Sequence, residues 1–128
     1  MKIKLSGVII TFNEEEKIGQ CIDSLHKVCD EILVVDSFST DKTKEICEQK
    51  GATFITNKFS GHIQQKNFAK SKAQFNHIIS LDADELLDEK AQKSILKLKE
   101  NWDGKGYYFN RLNNYCGKWI KYGSWYPD

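Results

Sequence analysis

The sequence lacks several features that would assign a function at once. No G-x-G-x-x-G or G-x-x-x-x-G-K-[ST] loop follows the first predicted strand, so the usual phosphate-binding loops of dinucleotide and P-loop proteins are absent. No apolar run reaches the length of about 18 residues that a membrane-spanning helix needs. No small-residue cleavage site follows the N-terminal segment. We therefore expect a protein that neither spans a membrane nor is secreted.

Charge of one sign and clustered metal ligands are also missing. Nineteen Lys and Arg residues balance 18 Asp and Glu residues, and a formal net charge of +1 gives no basic field for nucleic acid. The four cysteines form no C-x-x-C pair, and the three histidines share no metal-ligand spacing. We expect reduced, buried thiols in a cytoplasmic protein, no nucleic-acid partner and no chemistry from the histidines.

The length and composition fit one globular domain. The chain has 128 residues, of which 40% are hydrophobic, and this is enough to bury a core. We therefore expect residues 1–128 to form a single domain. The only proline, Pro127, lies in the aromatic segment Trp125-Tyr126-Pro127-Asp128, and a free terminus seldom exposes such rings. We expect the chain to be the N-terminal part of a longer protein.

Short apolar runs alternate with helical stripes along most of the chain. The runs predict strands at 5–11, 31–36, 52–56 and about 78–82, and the stripes predict helices from Asn13 to about 25, at 42–50, at 63–72 and at about 91–102. This alternation predicts an α/β fold with a parallel sheet covered on both faces. A strand-like segment at 107–112, a turn at Asn113-Asn114 and a further strand near 118–121 follow.

Acidic and polar turns follow three of the predicted strands. In an open parallel sheet, ligands bind beyond the carboxyl ends of the strands, where the winding direction reverses. Asp82 and Asp84 should point the same way and Ala83 the opposite way, because side chains alternate along extended backbone. Neighbouring carboxylates favour an oxygen-loving cation, and we predict Mg2+ or Mn2+ beside a diphosphate. The alternative is a solvated turn whose acids favour the next helix N-terminus.

Four motifs in order carry a family resemblance. They are Ile10-Thr11-Phe12-Asn13-Glu14-Glu15, then Val34-Val35-Asp36-Ser37 with Ser39, Asp41 and Thr43, then Gln65-Lys66-Asn67-Phe68-Ala69, and Leu81-Asp82-Ala83-Asp84-Glu85. This set resembles the nucleotide-sugar half of the family 2 inverting glycosyltransferases. Segments 114–120 and 123–128 resemble the lipopolysaccharide core β-1,4-glucosyltransferase subgroup. The resemblance implies a GT-A fold, which is a Rossmann-like three-layer α/β/α domain with a mostly parallel central sheet.

The resemblance also implies roles for individual residues at the nucleotide end of a UDP-sugar pocket. Phe12 would lie against the uracil ring, and Asp36 would accept the uracil imide hydrogen. Thr11, Glu14 and Ser37 would contribute to the same pocket. Asn13 is either a ligand contact or a helix cap.

At the diphosphate end, the resemblance implies a metal-binding D-x-D motif. Asp84 would bind the metal directly, while Asp82 would contact the ribose or bind the metal through water. Lys66 stands where the family often has an arginine that contacts the nucleotide or diphosphate. The alternative is that Lys66 is an ordinary surface lysine. The catalytic base is expected late in the chain, and Asp128 is our candidate.

The implied function is metal-dependent transfer of a sugar from a UDP-sugar to a glycan acceptor with inversion. The subgroup points to glucose as the sugar and to lipopolysaccharide core as the acceptor, with at most peripheral contact at the inner face of the membrane. One alternative is a truncated or non-catalytic UDP-sugar-binding module. Another is a phosphotransfer or nucleotidyltransfer domain, although the glycine-rich loop that a sugar nucleotidyltransferase needs is missing.

Overall fold

The fold begins with regular alternation of strands and helices. In the computed structural model, the residues described are 3–100, together with the backbone of three strands at 113–115, 118–120 and 124–127. The elements up to residue 100 are β1 (Leu5–Thr11), α1 (Ile18–His26), β2 (Glu31–Asp36), α2 (Thr43–Gln49), β3 (Thr53–Thr56), α3 (His62–Lys72), β4 (His77–Asp82) and α4 (Glu89–Glu100). The later strands are β5 (Asn113–Tyr115), β6 (Lys118–Ile120) and β7 (Ser124–Pro127).

The central sheet has the strand order β3-β2-β1-β4-β7. The first four strands are parallel, and β7 pairs antiparallel with β4 at the edge. The chain runs from β1 outward to β3 and then returns to place β4 on the other side of β1. The winding direction therefore reverses between β1 and β4, where the topology rule for parallel sheets expects a ligand.

The central strands bury side chains on both faces, as their uninterrupted apolar runs predict. Leu5 and Ile9 of β1 belong to a core cluster that also contains buried residues of α1, α2 and α4. Val8 and Ile10 of the same strand belong to a second cluster, which contains Ala69 of α3. The result is the predicted three-layer α/β/α arrangement with a mostly parallel sheet.

Two details of the predicted secondary structure are wrong. Helix α1 begins at Ile18 rather than at Asn13, because Asn13 has a left-handed backbone with φ of 49° that a helix cannot contain. Asn113 and Asn114 belong to strand β5, which pairs antiparallel with β6, so they do not form the predicted turn. The strand predicted at 107–112 lies outside the described residues.

Candidate functional site

A cleft of about 230 Å³ lies at the carboxyl ends of β1, β2 and β4. It is formed where the sheet changes winding direction, since β1 pairs there with Asp36 of β2 on one side and with Asp82 of β4 on the other. Its lining combines apolar, aromatic and acidic side chains. The lining residues are Ile10, Thr11, Phe12, Glu14, Ser37, Phe59, His62, Gln65, Asp82, Ala83 and Asp84.

The turn after β4 presents two carboxylates to this cleft. Asp82 is half-buried and Asp84 is exposed, whereas the side chain of Ala83 is 2% exposed and packs in the core. This burial pattern agrees with the prediction that Asp82 and Asp84 face one side and Ala83 the other, although Ala83 and Asp84 lie in a turn rather than in extended backbone. The turn is closed by the Glu85 N–H, which donates to the Asp82 carbonyl at 3.0 Å. The two acids are thus held together on one side of the cleft.

Two oxygens of the cleft residues are buried without a hydrogen-bond partner among the described residues. They are Oγ1 of Thr11 and Oδ1 of Asp82. The Lys66 ammonium lies 3.8 Å from Asp82 Oδ1, which is an ion-pair distance but longer than a hydrogen bond. Buried polar groups normally have a hydrogen-bond partner. Two such oxygens without one in the same cleft are explained if a ligand supplies the missing partner.

Glu14 adds a third carboxylate to the cleft. Burial raises the pKa of Glu14, and the charges of Asp84, Asp41 and Asp82 raise it further, while Lys17 opposes the shift. Mutual repulsion among carboxylates is a cost that a bound cation would relieve. The cleft therefore combines three carboxylates, those of Glu14, Asp82 and Asp84, with an aromatic residue, Phe12, which is 56% exposed.

Hydrogen bonds join the loop after β1 to the loop after β2. The Asn13 N–H donates to Ser39 Oγ at 2.7 Å, and Asn13 Oδ1 accepts from the Thr40 N–H at 2.8 Å. The Glu14 N–H donates to Thr43 Oγ1 at 3.1 Å. We call this connection the loop clamp; its side chains are those of Asn13, Asp36, Ser39, Asp41 and Thr43.

Two acids of the loop clamp accept hydrogen bonds from the second loop itself. Asp36 is 1% exposed, and its two oxygens accept from the Ser39 N–H at 2.6 Å and from the Ser39 hydroxyl. Asp41 accepts from the Thr43 N–H and hydroxyl and from the Glu15 N–H. Burial opposes ionisation of Asp41, but these hydrogen bonds outweigh it and hold its pKa below the usual value.

The structure thus separates the predicted nucleotide-binding residues into two groups. The residues that line the cleft are Thr11, Phe12, Glu14, Ser37, Asp82 and the predicted metal ligand Asp84. The Lys66 ammonium lies 3.8 Å from Asp82 Oδ1. Asp36 and Asn13 do not line it. Their side chains are engaged in the loop clamp, where they shape the loop that carries Phe12.

Three cleft residues received no role from the sequence. Gln65, which is 1% exposed, donates to Ser37 Oγ at 3.1 Å and accepts from Asn57 Nδ2 at 2.9 Å, so it ties α3 to the loops after β2 and β3. Phe59 and His62 meet edge to face, with ring centroids 5.2 Å apart. Only the position of Gln65 next to Lys66 in a recognised motif could have drawn attention to it.

The comparison with protein families agrees with this geometry. The family model described as Glycosyl transferase family 2 matches residues 6–124. The chain belongs to glycosyltransferase family 2. Among curated relatives, this family 2 chain is 38% identical over 100 residues to the lipopolysaccharide core biosynthesis glycosyltransferase LpsC of Rhizobium meliloti, an alignment that covers 74% of the chain and 36% of LpsC. The chain spans about a third of the length of the curated relatives it matches.

Solved structures show the same fold as this family 2 chain. The mannosyltransferase PcManGT of Pyrobaculum calidifontis, solved with GDP-Man and Mn2+, matches with a TM-score of 0.67 and 22% identity over 81% of the chain and 34% of PcManGT. Glucosyl-3-phosphoglycerate synthase of Mycobacterium tuberculosis, solved with Mn2+ and UDP-Glc, matches with a TM-score of 0.59 and 24% identity over 66% of the chain and 34% of that protein. The fold is therefore of the GT-A type.

The cleft residues of the family 2 chain fit a divalent cation that a ligand helps to hold. No three His, Cys, Asp or Glu side chains within the described residues are placed to hold a metal by themselves. Mg2+, however, is usually held by one or two carboxylates together with substrate phosphates and water. Asp82 and Asp84 supply such carboxylates, and Asp82 Oδ1, which has no hydrogen-bond partner among the described residues, is a ligand atom of the right kind.

The predicted base, Asp128, lies outside the described residues, and it stays a prediction. None of the helices in the described part of the chain combines the length and apolar character needed to cross a membrane.

Proposed function

We propose that this chain is the donor-binding part of a metal-dependent inverting glycosyltransferase that takes its sugar from a UDP-sugar. The observation that carries the proposal is the cleft itself. Its lining includes an exposed aromatic ring, Phe12, and two neighbouring carboxylates, Asp82 and Asp84. A nucleoside diphosphate has the matching chemistry, because its base is planar and its diphosphate binds divalent cations.

In this proposal the base stacks on Phe12, and Thr11 Oγ1 gains a hydrogen-bond partner from the nucleoside. Ser37 and Glu14 border the same space. Asp36 holds the loop clamp, where each of its two oxygens accepts one hydrogen bond from Ser39. Because a carboxylate oxygen can accept a second hydrogen bond, Asp36 would also accept the uracil imide hydrogen. The interlocked loops fix Phe12 before the ligand arrives, which reduces the entropy lost on binding.

Asp84 and Asp82 would hold Mg2+ or Mn2+ against the diphosphate. The bound cation would act as a Lewis acid that stabilises the charge on the departing nucleoside diphosphate. Lys66, which is 3.8 Å from Asp82, would add a positive charge at the same end. A carboxylate base from the later sequence would take the proton of the acceptor hydroxyl, and Asp128 remains our candidate.

The donor and acceptor are inferred from relatives. UDP-Glc is bound by the M. tuberculosis synthase and GDP-Man by the P. calidifontis enzyme, and the four motifs favour UDP. The similarity to LpsC supports a glycan acceptor of the lipopolysaccharide core type, with glucose as the sugar that the subgroup suggests. Such an acceptor would place the protein in the cytoplasm, with peripheral contact at the inner face of the membrane.

Calorimetric titration of the 128-residue chain with UDP tests the donor site. We expect binding in the presence of Mn2+, weaker binding with EDTA, and tighter binding of UDP than of GDP. Asp84→Ala should weaken the Mn2+-dependent binding by at least about 10-fold, as loss of a metal ligand does. Asp23→Ala removes an acid that pairs with Lys50 away from the cleft, and it should bind like the wild type. No Mn2+-dependent binding by the wild type would refute the proposal.

Transfer is tested separately from binding. The chain is incubated with Mn2+, UDP-glucose and a lipopolysaccharide core acceptor, and the release of UDP and the anomeric configuration of the product are measured. Product with inverted configuration supports the enzyme. Binding of UDP without any transfer supports the alternative, which is a non-catalytic UDP-sugar-binding module.

A further inference from the structure

The turn that carries the two metal-binding candidates is fastened by a third acid, Glu85. This residue is 8% exposed, and its Oε1 accepts a hydrogen bond from the Asp82 N–H at 2.6 Å. In return, the Glu85 N–H donates to the Asp82 carbonyl at 3.0 Å. Both backbone polar groups of Asp82 are therefore bonded to the same residue three positions later.

The Asp82 carbonyl also accepts a hydrogen bond from the core side of the turn. The thiol of Cys21, on the buried face of α1, donates to the Asp82 carbonyl at 3.7 Å. Ala83, between the two acids, is packed in the core. The backbone of the turn is thus fixed on its core side, while the side chains of Asp82 and Asp84 remain in the cleft.

We propose that Glu85 is a positioning residue for the metal-binding acids, and the proposal rests on the function proposed above. Glu85 contacts neither the metal nor the donor in this account. Its carboxylate fixes the direction in which the backbone leaves β4, and so sets the separation of the Asp82 and Asp84 carboxylates. Groups that orient metal ligands typically change metal affinity by about 10- to 100-fold when they are removed.

The role requires the acceptor atom more than the negative charge. Glu85→Gln keeps an oxygen that can accept from the Asp82 N–H, whereas Glu85→Ala leaves that N–H without its acceptor. A turn that has lost this bond should still permit stacking of the base on Phe12, because the loop clamp is untouched. The effect should therefore be confined to the metal-dependent part of binding.

The experiment compares two ligands across three variants of the 128-residue chain. Calorimetry measures the Kd for UDP with Mn2+ and the Kd for uridine with EDTA. We expect Glu85→Ala to raise the Kd for UDP with Mn2+ by about 10- to 100-fold. The Kd for uridine should stay within about twofold of the wild-type value. Glu85→Gln should stay close to the wild type for both ligands. Glu89→Ala, an exposed acid of α4 that pairs with Lys93, is the matched control and should change neither Kd.

The outcomes separate this inference from the proposed function. Wild-type binding of UDP with Mn2+ decides the function, while only the variants decide the role of Glu85. An equal loss of affinity for UDP with Mn2+ and for uridine would show that Glu85 has a merely structural role. A loss of affinity in Glu85→Gln as large as in Glu85→Ala would show that the hydrogen-bond acceptor is not the feature that matters. Either result overturns the inference.

A ligand-free measurement keeps the inference testable if Glu85→Ala does not fold. Hydrogen exchange at the Asp82 amide should stay slow in Glu85→Gln and should become faster in Glu85→Met, which has a side chain of similar length with no oxygen acceptor. Unchanged exchange in the folded Glu85→Met variant, or fast exchange in Glu85→Gln, would contradict the hydrogen bond on which the proposal depends.

Discussion

The loop clamp and the turn after β4 are both acidic, but they use their acids in opposite ways. In the loop clamp, Asp36 and Asp41 accept several hydrogen bonds from neighbouring loop residues. In the turn, Asp82 keeps an oxygen with no hydrogen-bond partner among the described residues, and Asp84 is exposed in the cleft. The acids of the loop clamp therefore hold their own loops together, whereas those of the turn keep oxygen atoms that a ligand would use.

The pKa shifts follow the same division. Hydrogen bonds lower the pKa of Asp41 in the loop clamp despite its partial burial, whereas burial and neighbouring acids raise the pKa of Glu14 in the cleft. Removing an acid should therefore have opposite consequences in the two regions. Removing an acid of the loop clamp should lower the free energy of unfolding, while removing an acid of the cleft should weaken ligand binding.

The largest effect on stability is expected for Asp36→Ala. The change removes a buried carboxylate that accepts from the Ser39 N–H and from the Ser39 hydroxyl of a half-buried loop. We expect a loss of about 3 kcal/mol in the free energy of unfolding. Urea denaturation measures the change. Asp84→Ala, the matched substitution in the cleft, should alter stability by less than about 0.5 kcal/mol, as exposed positions do. Equal destabilisation by both would remove the distinction between the two regions.

A smaller loss is expected for Ser39→Ala. The Ser39 hydroxyl donates to Asp36 and accepts from the Asn13 N–H, so its removal affects both sides of the loop clamp. We expect about 1.5 kcal/mol of destabilisation and weaker UDP binding, because the loop that carries Phe12 is no longer held. Ser71→Ala deletes only an exposed hydroxyl bonded to the Phe68 carbonyl, and it serves as the control. A Ser39→Ala variant as stable as the Ser71→Ala variant would contradict the clamp.

The finest test concerns the pKa of Glu14. Asp84→Asn removes a negative charge that raises this pKa, so the pKa should fall toward 4.5, its ordinary value. Carboxyl titration by NMR measures the shift. A pKa of Glu14 that rises or stays unchanged in Asp84→Asn would disprove the electrostatic link between Glu14 and Asp84.

Much of this architecture can be predicted from the sequence for simple physical reasons. Apolar runs such as Val8-Ile9-Ile10 are long enough to mark buried strands, and the order of strands and helices restricts the topology. Alternation along extended backbone predicted that Asp82 and Asp84 face the same side, but β4 ends at Asp82 and the turn that follows places Asp84 in the cleft. Topology predicted that the turns after β1, β2 and β4 lie at one edge of the sheet, while the roles of individual residues in them were implied by the family resemblance and stay predictions.

The remaining features depend on contacts between distant residues. Asn13 resembles a helix cap in sequence. However, its backbone N–H donates to Ser39 and its side-chain oxygen accepts from Thr40, 26 and 27 positions later, and its φ is positive. The use of Asp36 as a scaffold acid depends on the geometry of its loop. His62 enters the cleft because α3 begins there, and periodicity does not reveal which end of a helix faces a site.

The central claim is that the cleft between β1 and β4 binds a nucleoside diphosphate with a divalent cation. Backbone amide shifts of the chain, measured by NMR during titration with UDP and Mg2+, test it directly. We predict the largest changes at Thr11, Phe12, Asp82 and Asp84, and none at Asp30 at the opposite end of the sheet. Shifts centred away from these four residues, or no shifts at saturating UDP, would contradict the account.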